Sequence, residues 1–219
     1  MQQMVKRIGL IIITLLLWSF SYVLGNDYVS ETCDPPKTRY TLYDSLSVDE
    51  SFEDGYLSVF NMVFLKLDDL RDCNIEIRDK KIKTTMASRP KFFSLFRVKD
   101  KRKYVIVHNN NLDFDGVLLK DVPVEALIGL YAHELMHIRD YQSRRFFGVI
   151  KRGWQYMSKR GKRKLEHHID RMTIEAGFGN NLYEWAYYVL NNSRATDDYK
   201  AFKLEVYMTP EDIHSRLKD

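Results

Sequence analysis

The segment from Val124 to Ile138 places the strongest constraint on the fold of this 219-residue chain. Apolar residues recur there at helical spacing and cover most of the helix circumference, among them Leu127, Leu130 and Leu135. A helix that is apolar on nearly every side belongs inside a domain, packed between other elements. Pro123 stands in its first turn, where the missing N–H costs nothing. The sequence therefore predicts an interior helix.

This interior helix carries three polar side chains in the pattern H-E-x-x-H, namely His133, Glu134 and His137. Residues four apart lie on one face of a helix, so both imidazoles can reach one metal ion. Glu134 points beside that ion and is placed to act as a general base towards a water molecule. Burying these groups without partners would be costly, and a metal ion supplies the partner. The pattern indicates a metal site.

A third ligand is expected within Glu166-His167-His168-Ile169-Asp170 on a later helix. Neighbouring residues on a helix point about 100° apart, so only one of Glu166, His167 and His168 can face the two histidines. Glu166 is favoured because Asp170 follows one turn later on its own face and can accept the free N–H of a ligand histidine. Either histidine remains an alternative ligand.

H-E-x-x-H followed by E-x-x-x-D resembles the gluzincin zinc metallopeptidases, and the short chain looks most like the minimal, single-domain minigluzincins. The resemblance covers roughly residues 121–180. It implies Zn²⁺ held by His133, His137 and Glu166, with Glu134 as catalytic base and Asp170 as the partner of a ligand histidine. It also implies a zincin-like α+β fold, in which an N-terminal helix and a small mixed sheet pack on the buried motif helix and a second, ligand-bearing helix.

In that family a strand before the motif helix pairs with extended substrate, and Tyr104–His108 is the candidate by chain order. Tyr141 and Tyr183 are both open candidates for a hydrogen-bond donor to the oxyanion.

The function expected from these residues is hydrolysis of peptide bonds in a peptide or protein substrate through a zinc-activated water. One alternative is a zinc-stabilised interaction protein of the cell envelope that cleaves nothing, although an intact Glu134 speaks against it. The other is a zinc hydrolase of a non-protein amide, which would use the same chemistry.

Residues 1–25 contain Lys6 and Arg7 and then an apolar run from Ile8 to Trp18, which predicts a signal peptide. Residues 26–219 are then one exported domain, periplasmic or secreted. An uncleaved membrane anchor is the alternative, since 18 uncharged residues are near the lower limit for a membrane span. In an oxidising compartment Cys33 and Cys73 form one disulfide or stay as two unrelated thiols.

The remaining elements follow from hydrophobic periodicity. Helices are predicted from a Ser47 N-cap through Leu70, over 162–176, over 181–190, and after an N-cap at Thr209. Four short strands are predicted between the first helix and the motif helix, at Ile75–Ile77, Ile82–Met86, Phe92–Val98 and Tyr104–His108.

The formal net charge of +4 conceals a basic segment, since residues 141–164 hold nine Lys or Arg and no acid. No nucleic-acid-binding motif accompanies it. Phe147, Ile150, Trp154 and Met157 recur within it at helical spacing. This stripe either packs on the domain while the charges are solvated, or makes a peripheral contact with an anionic membrane.

Overall fold

A computed structural model describes residues 38–40, 46–49 and 54–218 of the chain. The strands are β1 (Thr38–Tyr40), β2 (Leu46–Asp49), β3 (Asn74–Lys80), β4 (Met86–Pro90) and β5 (Lys103–Asn109). The α-helices are α1 (Asp54–Phe64), α2 (Val124–Ser143), α3 (Phe146–Tyr156), α4 (Lys159–Thr173), α5 (Gly179–Tyr187), α6 (Asp197–Val206) and α7 (Pro210–Leu217). The strands lie in the N-terminal half of the chain and, apart from α1, the α-helices follow them, which makes an α+β fold, as predicted.

The described strands form a mixed sheet in the order β1-β2-β3-β5-β4. β3 runs parallel to both β2 and β5, whereas β4 is antiparallel to β5. β5 is therefore an interior strand, and the prediction that Tyr104–His108 forms the substrate-pairing edge is wrong. The edge beside the motif helix is β4.

Helix α2 is buried along most of its length, as its apolar circumference predicts. It packs against α1, β4, α4 and α5. Gly129 allows α5 to approach closely, because a Cβ atom built there would lie 2.1 Å from the backbone oxygen of Asn181 on α5. The sheet edge and three helices thus enclose the H-E-x-x-H turn.

Several element predictions are wrong because they rested on local pattern alone. Ser47 lies in β2 instead of capping a helix, and α1 is shorter than predicted. Only the last residue of the predicted strand Ile82–Met86 is extended, at the start of β4. Phe92–Phe96 forms a 3₁₀ helix instead of a strand.

The predictions for the C-terminal half agree better with the structure. Gly177, with φ of 87°, breaks the helical path after α4 near the predicted helix end. Thr209 caps α7 in a capping box with Asp212, and Pro210 occupies the first turn.

The predicted signal peptide or anchor and Cys33 lie outside the described residues. Cys73 is a buried free thiol, and burial together with Asp69 and Asp72 raises its pKa to about 12. Within the described part of the chain, no helix has the length and apolar character needed to cross a membrane.

Candidate metal centre

Three buried side chains converge between α2 and α4. The rings of His133 and His137 lie one helical turn apart, with centroids 4.9 Å from each other. Glu166 Oε2 lies 3.3 Å from Nε2 of each histidine. One ligand atom from each of the three residues lies within 4.8 Å of the others. His133, His137 and Glu166 are therefore positioned to bind a metal ion.

The carboxylate of Glu166 has unused bonding capacity. Its Oε2 is buried and makes no hydrogen bond of good geometry, although both imidazole nitrogens lie 3.3 Å away. A buried carboxylate oxygen without a hydrogen bond is costly, and a cation would offset that cost. Burial by itself raises the pKa of Glu166, but the neighbouring His137 and His133 outweigh burial and hold it well below the ordinary range. The carboxylate is thus ionised, as metal binding requires.

Asp170 orients the first histidine from behind. Its Oδ1 lies 2.9 Å from Nδ1 of His133, and its Oδ2 accepts a hydrogen bond of 3.0 Å from the backbone N–H of Met208. A hydrogen bond at Nδ1 fixes the tautomer that leaves Nε2 free as a metal ligand. Burial lowers the pKa of His133, but without a metal ion Asp170 and Glu166 together raise it to about 10, so a metal ion that binds here displaces the proton from Nε2.

Glu134 follows His133 on α2 and is also buried, and its charge acts on the same tyrosines as that of Glu166, namely Tyr141, Tyr156 and Tyr207. Its Oε2 makes no hydrogen bond within the described structure. The backbone carbonyl of Glu134 accepts a hydrogen bond of 2.8 Å from Ser88 Oγ on β4. This contact fixes the sheet edge alongside the H-E-x-x-H turn.

His167 and His168, the alternative ligands next to Glu166, do not cluster with the two histidines of α2. His168 Nε2 lies 3.2 Å from Asp140 Oδ1. His167 Nε2 is buried and unpaired within the described residues, but it is not among the three converging ligand atoms. The structure therefore brings Glu166, and neither histidine, to the pair on α2.

Tyrosines surround the carboxylates of this site. The ring of Tyr141 stacks on His137 with centroids 6.3 Å apart. Burial first, and then the charge of Glu166, raises the pKa of Tyr141, Tyr156 and Tyr207, so all three keep their hydroxyl protons. Tyr156 and Tyr207 were missed by sequence reasoning because no spacing links them to the H-E-x-x-H motif.

The second predicted donor, Tyr183, packs elsewhere. Its ring stacks on Tyr187 and lies against His214. Within the described residues no contact joins it to the three ligands.

Asp140, one turn after His137, ties the basic segment to the motif helix. Its carboxylate accepts paired hydrogen bonds of 2.7–2.9 Å from Arg144 and of 2.7 Å from Arg152. Burial alone raises the pKa of Asp140, but the two guanidinium groups outweigh burial and hold it far below its usual range. Two of the nine basic residues of the segment 141–164, Arg144 and Arg152, thus form ion pairs that hold the segment to α2.

Comparison with known proteins yields no significant match to a family model, a curated protein or a solved structure. The geometry defines an α+β protein with a buried His-His-Glu cluster that is positioned to bind a metal ion.

Proposed function

We propose that this chain is a gluzincin-like zinc metallopeptidase with a zincin-like fold. One observation carries the proposal: next to the convergent His133, His137 and Glu166 cluster in sequence, Glu134 keeps a buried carboxylate oxygen without a hydrogen-bond partner in the described structure, and its charge reaches the same three tyrosines as that of Glu166. A purely structural metal site has closed coordination and needs no adjacent base. Three protein ligands with a free carboxylate beside them are typical of a catalytic site instead.

Two separations within the cluster are compatible with a tetrahedral zinc ion. Bonds of about 2.0–2.1 Å in tetrahedral coordination place neighbouring ligand atoms roughly 3.3–3.4 Å apart. Glu166 Oε2 lies 3.3 Å from each histidine Nε2. Nitrogen and carboxylate donors also suit zinc, whereas magnesium and calcium favour all-oxygen sites. The residues present therefore fit the ion.

Zn²⁺, when bound by His133, His137 and Glu166, supplies Lewis-acid chemistry that acidifies water and polarises a carbonyl group. Glu134 accepts the proton of the attacking water and delivers it to the leaving amine. Asp170 keeps His133 in the tautomer and orientation that ligation requires. The protonated Tyr141, Tyr156 and Tyr207 provide candidate donors to negative charge developing on the carbonyl oxygen.

The outer edge of β4 is unpaired among the described strands and suits an extended peptide. Thr85 and Lys91 bond towards β5, so by strand alternation the backbone groups of Ser88 face the outer edge. No other described strand pairs with that edge. A substrate strand added there would run beside Glu134, because the Ser88 side chain already contacts its carbonyl.

The proposal predicts a separation of metal binding from turnover in Glu134→Gln. The variant keeps a full complement of zinc, since Glu134 is not a ligand, while hydrolysis of an unfolded protein or a quenched peptide library falls by about 10²–10⁴-fold. Glu184→Gln, at an exposed position on α5, is the matched control and retains activity.

Unchanged hydrolysis in Glu134→Gln would refute the assigned base. A zinc-loaded wild-type chain that cleaves no peptide would instead favour the alternatives, which are a non-catalytic envelope protein or a hydrolase of a non-protein amide.

A further inference from the structure

Five phenylalanines from two separate stretches of chain form one continuous surface cluster. Successive ring centroids along it lie 5.4–6.0 Å apart. Phe93 and Phe147 are 80% and 82% exposed. We name this cluster the phenylalanine surface, and its members are Phe92, Phe93, Phe96, Phe146 and Phe147. A contiguous exposed apolar patch of this kind marks an interaction site.

The backbone beneath the phenylalanine surface is held firmly. Ser94 Oγ lies within hydrogen-bonding distance of the carbonyls of Lys91 and Lys103, at 2.7 and 2.9 Å. Arg102 is buried and donates to the carbonyls of Tyr141 and Arg144, which joins the β4–β5 connection to the end of α2. The rings of the phenylalanine surface therefore project from a hydrogen-bonded backbone.

Helix α3 extends the apolar surface along its outer face. Trp154 and Met157 are 48% and 50% exposed, whereas Val149 is the residue of α3 that is buried in the core. Of the predicted stripe, Phe147 is exposed, Trp154 and Met157 are about half exposed and Ile150 is partly buried, so the stripe packs on the domain only in part. Lys151 is exposed on the same helix.

The charge around this surface has almost one sign. Residues 91–103 contain one acid, Asp100, and residues 141–164 contain none. The exposed basic side chains that form no ion pair with another described residue include Arg97, Lys99, Lys101, Lys103, Arg145 and Lys151. Exposed aromatic rings among unpaired cations complement the anionic headgroups and apolar interior of a bilayer.

A second copy of the chain fits this surface poorly, because self-association would bring the same set of cations face to face. Trp154 also suits a bilayer, since indole favours the headgroup boundary.

We propose that the phenylalanine surface and the outer face of α3 bind peripherally to an anionic membrane. Phe93 and Phe147 enter the boundary between headgroups and acyl chains, while the surrounding Lys and Arg contact lipid phosphates and carboxylates. Binding in this mode requires neither a metal ion nor hydrolysis. The membrane proposal can therefore be tested independently of the proposed peptidase activity.

The test is co-sedimentation of the full chain with vesicles of phosphatidylcholine alone and with vesicles containing about one-third phosphatidylserine. Residues 1–25 include an apolar run, so every variant retains that segment and its contribution to binding is the same in all of them. The paired variants are Phe93→Ser/Phe147→Ser for the apolar contact and Arg97→Glu/Lys99→Glu for the charge.

Matched controls lie at the opposite ends of the elements that carry the surface. Leu112 is 75% exposed but follows the far end of β5. Lys120 is exposed and precedes α2, a helix of 20 residues and hence about 30 Å long, whereas Phe146 follows its other end. Leu112→Ser/Lys120→Glu therefore alters the same residue types away from the surface.

We expect both surface variants to lose about tenfold or more in partitioning to phosphatidylserine vesicles, and the control to bind as wild type. Added salt should weaken wild-type binding. Three results would overturn the proposal: binding that ignores phosphatidylserine, surface variants that match the control, or a wild-type dimer in light scattering that Phe93→Ser/Phe147→Ser converts to monomer. Unchanged circular dichroism of the variants excludes unfolding as the cause.

Discussion

Asp140 offers the sharpest test of the packing around the metal centre. Its side chain is 4% exposed and is the shared acceptor for Arg144 and Arg152, of which Arg152 is only 11% exposed. Asp140→Asn preserves the shape of the side chain but removes its charge. The variant leaves the Arg152 guanidinium largely buried without a counter-ion.

The expected loss of unfolding free energy is about 3 kcal/mol. Breaking a buried ion pair by removing one partner costs about 3–5 kcal/mol. The lower end applies because asparagine keeps one acceptor oxygen and because Arg144 is 31% exposed to solvent. With a urea m-value of about 2 kcal/mol per M, the midpoint falls by about 1.5 M.

Asp69→Asn is the matched control for this measurement. Asp69 accepts paired hydrogen bonds from Arg139 on α2, but its side chain is 53% exposed. An exposed pair of the same chemistry contributes less than about 1 kcal/mol. Urea denaturation followed by circular dichroism compares the two variants, and losses of equal size would refute the assignment of Asp140 as a buried anchor.

The effect of Asp140→Asn also has a defined pH dependence. The folded-state pKa of Asp140 lies below its unfolded value of about 3.9, so the native chain gains stability from the carboxylate above that value. As pH falls from about 4 towards the folded pKa, the carboxylate takes up a proton and the advantage of the wild type disappears. The difference between the two proteins should therefore shrink in acid.

Two further perturbations test other parts of the fold. Gly129→Ala should destabilise the chain by about 3 kcal/mol in the same assay, because its Cβ would lie 2.1 Å from Asn181 O. Gly55→Ala is the control: its Cβ meets nothing within 4 Å, so the substitution should be neutral or slightly stabilising. Burial lowers the pKa of His108 to about 3, although Asp79 Oδ1 lies 3.7 Å from its Nδ1. As pH falls below about 6.5, His108 is therefore protonated in the unfolded chain but stays neutral in the folded chain, which favours unfolding. The wild type should then lose up to ~1.4 kcal/mol per pH unit more than His108→Gln, and parallel losses in the two proteins would contradict a neutral, buried His108.

Local periodicity was enough to predict the parts of the site that lie on single helices. His133 and His137 on α2, and Glu166 and Asp170 on α4, are each pairs four residues apart, and this spacing fixes a shared face without knowledge of the fold. That the two faces meet depends on the packing of α4 against α2. A pattern within either helix cannot supply this contact, so His167 and His168 stayed open until the structure placed Glu166.

The strand predictions were wrong where the structure depends on contacts with other parts of the fold. Phe92–Val98 has the apolar density of a strand, but its phenylalanines face solvent from a 3₁₀ turn. Tyr104–His108 was assigned to an edge from chain order, whereas the pairing of β4 on its outer side makes it interior. Strand neighbours are long-range choices that residue alternation does not encode.

We propose that His133, His137 and Glu166 together hold one zinc ion. The most direct measurement is the zinc content of the purified full chain by mass spectrometry, for the wild type, Glu166→Ala and His167→Ala. We predict about one zinc per chain in the wild type and in His167→Ala, and a large loss in Glu166→Ala, because only Glu166 completes the three-ligand set. Full zinc occupancy in Glu166→Ala, or a wild type that binds none, would contradict the account.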